Sequence, residues 1–156
     1  MQLSEARQKG LQILKQISPY IARGRLAGSI RRKKPIVKDI DIVIELKPQN
    51  LDKLKGGISK VGELKLKGDK LIRVITKDGV QVDIYITSKE NYEPLLLIRT
   101  GSKEHNIKLT TRAQSLNYKL TANGLIDNKT GSVIAKSEKD IFKALKMNYT
   151  EPQNRN

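Results

Sequence analysis

Two closely spaced aspartates, Asp39 and Asp41, are the residues of this chain best suited to chemistry. They alternate with Ile40, Ile42 and Ile44, which is the pattern of a β-strand with one apolar face and one polar face. Carboxylates about 6–7 Å apart on one face repel each other unless a cation lies between them, and hard divalent cations suit an oxygen-only site. The same alternation also fits a half-solvated antiparallel strand, so the pair alone leaves both interpretations open.

A third aspartate, Asp83, lies in a second alternating segment over residues 81–86. Three carboxylates on polar strand faces would form a site for two divalent cations, which suits phosphoryl or nucleotidyl transfer. The rest of the chain offers little competing chemistry, because it has no cysteine, one histidine and no Gly-x-x-x-x-Gly-Lys phosphate loop. The sequence therefore predicts a catalytic metal centre at Asp39, Asp41 and Asp83.

The net charge of +15 is unevenly distributed along the chain. Residues 1–38 contain ten basic groups and one acid, residues 39–98 contain ten of each, and residues 99–156 contain eleven basic groups and five acids. A neutral central segment flanked by basic ones is the layout expected for placing a polyanionic nucleic acid over an acidic metal site. The open alternative is a basic protein whose charges only solvate its surface. Few aromatic residues favour contacts to duplex phosphates over base-stacking platforms.

Length and composition set the class of protein. A chain of 156 residues is long enough for one compact domain or two small subdomains, and the absence of cysteine excludes disulfides and zinc–thiolate sites. No apolar run approaches the length of a membrane span, and the N-terminus does not have the pattern of a signal peptide. We expect an intracellular, cytoplasmic protein without membrane contact, from a viral or a cellular source.

The order of predicted elements indicates an α+β fold. The first predicted element is a helix capped by Ser4, and a second helix is predicted over 51–61. Strands are predicted over 21–28, 39–46, 64–67, 70–76 and 81–86. A Lys77-Asp78-Gly79 turn joins the last two strands into an antiparallel hairpin. Helices predominate afterwards, over 88–98, from a cap at Ser102 to about 117, and from a cap at Ser137 to 146. The pattern predicts a mixed or antiparallel sheet with flanking helices, then a small, mainly helical C-terminal subdomain from residue 88.

Several motifs, in order and in register, together resemble the X family of DNA polymerases. They are Gly28-Ser29-Ile30-Arg31-Arg32, Asp39-x-Asp41, the Asp83 strand, Thr100–Asn106, Tyr118–Gly124 and the terminal Tyr149–Arg155. The resemblance covers essentially the whole chain. It implies a nucleotidyltransferase palm over 1–87 and a nucleotide- and DNA-contacting subdomain over 88–156, as in minimal viral members. No lyase or helix-hairpin-helix domain is expected.

The resemblance also implies roles for individual residues. The three aspartates would hold two Mg²⁺ ions, which Mn²⁺ could replace. Residues implied in binding the incoming nucleotide are Gly28, Ser29, Arg32, Gly101, Ser102, Lys103 and Asn106. Residues implied in contacting DNA are Arg31, Lys33, Lys34, Thr110 and Arg112. His105 is expected on a helix surface, without a catalytic role. Ile98-Arg99 stands where many relatives have an aromatic pair.

The function implied is a template-directed DNA polymerase. It would add deoxynucleotides from dNTPs to the primer 3′ end of gapped or primer–template DNA, filling short gaps during repair as a monomer. One alternative is a template-independent nucleotidyltransferase acting on RNA, a small molecule or a protein. Another is a DNA-binding protein with a degenerate catalytic site. Whether added nucleotides follow a template separates the two enzymatic functions.

Overall fold

The computed structural model describes all 156 residues, which form six α-helices and two β-sheets. In chain order the elements are α1 (Leu3–Ile17), β1 (Ile21–Leu26), α2 (Gly28–Arg31), β2 (Ile40–Leu46), α3 (Leu51–Ser59), β3 (Gly62–Lys67), β4 (Leu71–Thr76), β5 (Gln81–Thr87), α4 (Tyr92–Thr100), α5 (Lys103–Ser115), β6 (Tyr118–Thr121), β7 (Gly124–Asp127), β8 (Val133–Ala135) and α6 (Glu138–Ala144). None of the helices has the length and apolar character needed to cross a membrane.

The larger sheet has five strands in the order β1-β2-β5-β4-β3. Strands β2 and β5 are parallel and the other neighbours are antiparallel, so the sheet is mixed, as predicted. Ile40, Ile42 and Ile44 of β2 are completely buried on one face, where they join the main hydrophobic core together with residues of α1 and α3. This alternation leaves the opposite face of β2 and β5 for the acids.

The C-terminal part has a hydrophobic core of its own. Leu97, Leu109, Leu125 and Phe142 are completely buried in it, beneath the three-stranded sheet β6-β7-β8 and between α5 and α6. A smaller apolar cluster at the junction packs α4 against the acid-bearing face of the five-stranded sheet; its members are Ala27, Val43, Tyr92, Leu95 and Leu96. Helix α4 therefore forms one wall of any cleft on that face.

Helix starts differ from the predictions at two places. The first helix begins at Leu3 rather than after a Ser4 cap, because residues 1–3 are held by backbone hydrogen bonds to residues 35 and 37. Helix α4 begins at Tyr92 rather than near residue 88, which keeps Pro94 within the first turn, where its missing N–H costs nothing.

The two later caps are confirmed. Ser102 accepts a hydrogen bond from the His105 backbone N–H at the start of α5, and Ser137 accepts one from Asp140 at the start of α6. Strand β2 begins one residue later than predicted, at Ile40, so that Asp39 lies in the bend just before it.

Candidate active site

A cleft with a volume of about 600 Å³ opens between the acid-bearing face of the large sheet and the helices α4 and α5. The predicted residues that line it are Gly28, Ser29, Arg32, Asp39, Asp41, Gly101, Lys103, Asn106 and Thr110. The cleft is further lined by Lys38, Tyr85, Ile98, Arg99 and Ile107. Residues that are far apart in the sequence, from the β1–β2 connection and from α5, are thus brought to one site.

The acids meet because two strands run parallel. Asp41 of β2 and Asp83 of β5 are direct partners in the register of the pair, so both project from the same face. Burial, followed by the charges of Asp83 and Asp39, raises the pKa of Asp41 to about 6, although Arg99 and Arg32 act in the opposite direction. None of the ion pairs of the structure includes Asp39 or Asp41, so their carboxylate oxygens are available to a cation.

Gly28 is required beside this acid. Its φ is +54°, and a Cβ at this position would lie 2.3 Å from Oδ2 of Asp41. Any larger residue would both strain the backbone and displace the carboxylate. The glycine of the Gly28-Ser29 motif therefore lets α2 approach Asp41 closely.

Asp83 differs from the other two acids in having a cationic partner. Nε of Arg73, on β4, donates to its Oδ1 at 2.7 Å, and Nη2 donates to its Oδ2 at 3.1 Å. As the side chains stand, no three carboxylates or histidines form a group that could hold one metal ion. Asp39 and Asp41 fit a hard divalent cation by donor type and because neither forms an ion pair, whereas Asp83 joins them only if Arg73 moves away.

Ser29 and Arg32 lie at the end of the cleft formed by α2. Nη1 of Arg32 donates to the Thr100 carbonyl oxygen at 2.6 Å, while its Nε is buried without a partner. Burial lowers the pKa of Arg32, against the opposing charges of Asp41 and Glu104. A guanidinium with a free buried donor, next to a hydroxyl, suits phosphate oxygens.

The other end of the cleft is formed by α4 and α5. Nδ2 of Asn106 donates to the Ile98 carbonyl oxygen at 2.9 Å, which leaves its Oδ1 buried and without a partner. The Arg99 guanidinium lies 4.2 Å from the centroid of the Tyr85 ring. These residues present polar atoms and a stacked cation at the place where the resemblance puts the sugar and base.

Two residues predicted to bind ligands make contacts within the fold. Ser102 does not line the cleft, because its hydroxyl caps α5 and its N–H donates to the Arg155 carbonyl oxygen at 3.2 Å. Nε of Arg112, predicted to contact DNA, donates to the Leu145 carbonyl oxygen at 2.9 Å and so joins α5 to the end of α6.

Arg31 is also misassigned as a DNA contact. It forms a bidentate pair with Glu138, at 2.6 and 3.0 Å, and Glu138 also accepts from Nη1 of Arg155 at 2.7 Å. Burial alone would raise the pKa of Glu138, but hydrogen bonds and charge from Arg31 and Arg155 lower it. This buried cluster of Arg31, Glu138 and Arg155 joins α2 to the C-terminal part.

The remaining predicted residues lie away from the cleft. Lys33 lines a separate groove between α1, β1 and the C-terminal segment, and Lys34 contacts the side chain of Asn156. His105 is buried, not on the helix surface as expected: it is 4 % exposed. Burial, followed by the charge of Arg155, lowers its pKa to about 4.

Sequence reasoning missed Arg73 and Glu138 altogether. Arg73 had an available signal, because continuing the pairing away from the Lys77-Asp78-Gly79 turn sets Arg73 opposite Asp83. No local pattern in the sequence indicated Glu138, because its partners Arg31 and Arg155 lie 107 and 17 residues away in the chain.

Comparison with known proteins gives the same class of fold. Two structures of Leishmania infantum polymerase beta, a ternary primer–template complex and a ternary gap complex, superpose on the whole chain with TM-scores of 0.87 and 0.89 at 18% sequence identity. The chain covers 76% and 70% of those two chains. The palm-and-thumb fold of polymerase beta is thus the fold of this protein.

Sequence comparison finds similarity to DNA polymerases. The family model of the DNA polymerase beta thumb matches residues 95–156. DNA polymerase IV of Saccharomyces cerevisiae is 28% identical over 92% of this chain, and Repair DNA polymerase X of African swine fever virus is 26% identical over 92% of it. The chain spans 28% of the yeast protein and 86% of the viral one. The chain is thus similar to DNA polymerases of the X family over most of its length.

Proposed function

We propose that this protein is a template-directed DNA polymerase that extends a primer 3′ end by nucleotidyl transfer and fills short gaps during repair. The observation that carries the proposal is the meeting of the Asp39 and Asp41 acids with Ser29 and Arg32 in one cleft, in a chain similar to X-family DNA polymerases. The relatives named as a repair polymerase and as polymerase beta gap and primer–template complexes support DNA as the substrate.

Asp39, Asp41 and Asp83 would hold two divalent cations, Mg²⁺ or Mn²⁺. When bound, such a pair makes the primer 3′ hydroxyl more nucleophilic and neutralises the charge that develops on the leaving pyrophosphate. The protein's own contribution is a rigid sheet that fixes Asp41 and Asp83 on adjacent strands. Gly28 keeps α2 close to Asp41, so the phosphate-binding and acidic parts of the site have a fixed separation.

Ser29 and Arg32 would bind the β- and γ-phosphates of the incoming dNTP. The unpartnered Nε of Arg32 is the group available for a charge-assisted hydrogen bond to them. Lys103 and Asn106 would face the sugar and base, and Thr110, further along the same face of α5, would lie nearer the template.

DNA would be held mainly through its phosphates, because the protein has a net charge of +15 and few aromatic residues. We propose that the division into a palm over 1–87 and a nucleotide- and DNA-contacting subdomain over 88–156 follows the two separate cores. The protein would act as a monomer where its DNA substrate is found.

The test is primer extension with each single nucleotide on a one-nucleotide gap, an open template and a single strand without template. Addition of the complementary nucleotide, fastest on the gap, is the expected result. Equal addition of all four nucleotides regardless of template would favour the template-independent alternative. Asp69→Asn is a matched control for the acid substitutions, since Asp69 is an exposed acid in the β3–β4 turn.

A further inference from the structure

We propose that Arg73 occupies Asp83 in the metal-free protein and competes with the cation for it, and thereby sets the affinity of the metal centre. The inference rests on the proposed function, because it concerns the cation that Asp83 would share with Asp41. It adds a residue outside the cleft lining, on a strand that carries none of the acids.

The sheet places three charged residues abreast on neighbouring strands. Asp83 of β5 is the register partner of Asp41 on one side and of Arg73 on the other. Both carboxylate oxygens of Asp83 are engaged by the Arg73 guanidinium, and Nε2 of Gln81 reaches one of them at 3.4 Å. Asp83 therefore already has a cationic partner, Arg73, on the side opposite to Asp41.

The pair is asymmetric in exposure. The side chain of Asp83 is 7% exposed and that of Arg73 is 35% exposed. Arg73 makes no other side-chain hydrogen bond or ion pair. The guanidinium can therefore leave through rotation of its own side chain into solvent, while Asp83 stays fixed on β5.

A metal ion that uses Asp83 must displace this guanidinium or bind beside a positive charge. The site shared by Asp83 and Asp41 should consequently be weaker than one formed by Asp39 and Asp41 alone. Arg73 would keep the acids from repelling each other before the cation arrives, and would make occupation of the second site the later event.

The experiment measures Mn²⁺ binding by electron paramagnetic resonance, without DNA or nucleotide, in the wild type and in Arg73→Gln, Asp83→Asn and Arg23→Gln. Arg23 is the matched control, because it forms the same kind of cross-strand pair on the same sheet, with Nε 2.9 Å from Oε1 of Glu45. Arg73→Gln should bind the weaker Mn²⁺ about tenfold more tightly. Asp83→Asn should abolish that site, and Arg23→Gln should behave as the wild type.

Unchanged or weaker Mn²⁺ binding in Arg73→Gln would overturn the inference, because Arg73 would then support the ligating position of Asp83 rather than compete for it. Arg73→Lys, which keeps the charge but loses the bidentate contact, should give an intermediate affinity. Failure of the proposed function is distinguishable: Mn²⁺ binding that is insensitive to Asp41→Asn would contradict the metal centre itself, whatever Arg73 does.

Discussion

Two clusters of arginines and acids, one in the cleft and one between α2 and the C-terminal part, differ in the pairing of their acids. In the cleft, Asp39 and Asp41 are half-buried and form no ion pair, and burial, followed by the charges of Asp83 and Asp39, raises the pKa of Asp41 to about 6. In the buried cluster, Glu138 lies between Arg31 and Arg155 and its pKa is lowered. The acids of the first cluster are unpaired and so available to a cation, whereas the acid of the second is paired with two arginines.

The two neighbouring arginines of α2 make the contrast sharper. Arg31 forms a bidentate pair with Glu138 and does not line the cleft, while Arg32 lines the cleft and forms no ion pair. Adjacent residues of the same type thus serve the fold and the site separately. Substitutions in the two clusters should consequently have opposite signatures, with activity lost from one and stability lost from the other.

The largest effect is expected for Asp41→Asn. Removal of a central metal ligand should lower kcat at saturating Mg²⁺ by at least about 10³-fold, which corresponds to about 4 kcal/mol of barrier. Affinity for gapped DNA should stay the same or increase, because an acid that faces phosphates is removed. Single-turnover extension and DNA binding, with Asp69→Asn as control, measure the two effects; wild-type turnover by the variant would exclude the assignment of Asp41.

Glu138→Gln should have the second-largest effect, on stability. It would leave Arg31 and Arg155 buried without a counter-charge, and breaking a buried pair of this kind costs about 3–5 kcal/mol. Urea unfolding at pH 7 measures this loss. A change below about 1 kcal/mol would mean that the buried cluster does not hold the two parts together.

Arg32→Ala and Arg31→Ala separate the two arginines. Arg32→Ala should lower kcat/KM for the dNTP, by an amount that corresponds to a loss of about 2–4 kcal/mol of transition-state stabilisation. The free energy of unfolding should change little. Arg31→Ala should mainly destabilise the fold. Parallel measurements of single-nucleotide kinetics and urea unfolding decide the matter, and identical behaviour of the two variants would show only a general basic patch.

The smallest effect concerns pH and His105, which is faced by Arg155, Lys108 and Glu138 of the surrounding elements. Its pKa in the fold is about 4, below the usual value of about 6.5, so the unfolded state binds a proton first as pH falls. The stability it contributes is complete above about pH 6.5 and should decline by about 2 kcal/mol between pH 6.5 and pH 5.

His105→Leu should lose this component of the pH dependence while leaving other groups unchanged. The difference between the two unfolding curves, followed from pH 7 to pH 5, isolates the histidine. Parallel curves for the wild type and the variant would indicate that the pKa of His105 is the same in the folded and the unfolded state.

Local patterns predicted much of the fold and one part of the site. The alternation around Ile40 and Ile42 defined the strand and put Asp41 on the polar face, since a period of two leaves only two faces to choose from. Ser102 and Ser137 were recognisable as caps because capping depends on residues three positions apart.

Features that depend on residues far away in the chain could not be predicted from local patterns. Nothing in the Arg31-Arg32 pair says which side chain turns inward, because the answer depends on Glu138, more than 100 residues away. The start of α1 was missed for the same reason, since it is held by residues 35 and 37. The role of Ser102 as a cap was predicted, but its exclusion from the cleft followed only from the way α5 meets the C-terminus.

Thermal unfolding with and without Mg²⁺ tests most directly whether the cleft cluster is built for a cation and the buried cluster for the fold. The wild type should gain stability with added Mg²⁺, since a ligand that binds only the folded state raises Tm. Asp41→Asn should be more stable than the wild type without metal, through loss of its like-charge contacts, and should not respond to Mg²⁺. Glu138→Gln should start lower and respond as fully as the wild type. A full Mg²⁺ response in Asp41→Asn, or none in Glu138→Gln, would contradict the division between the two clusters.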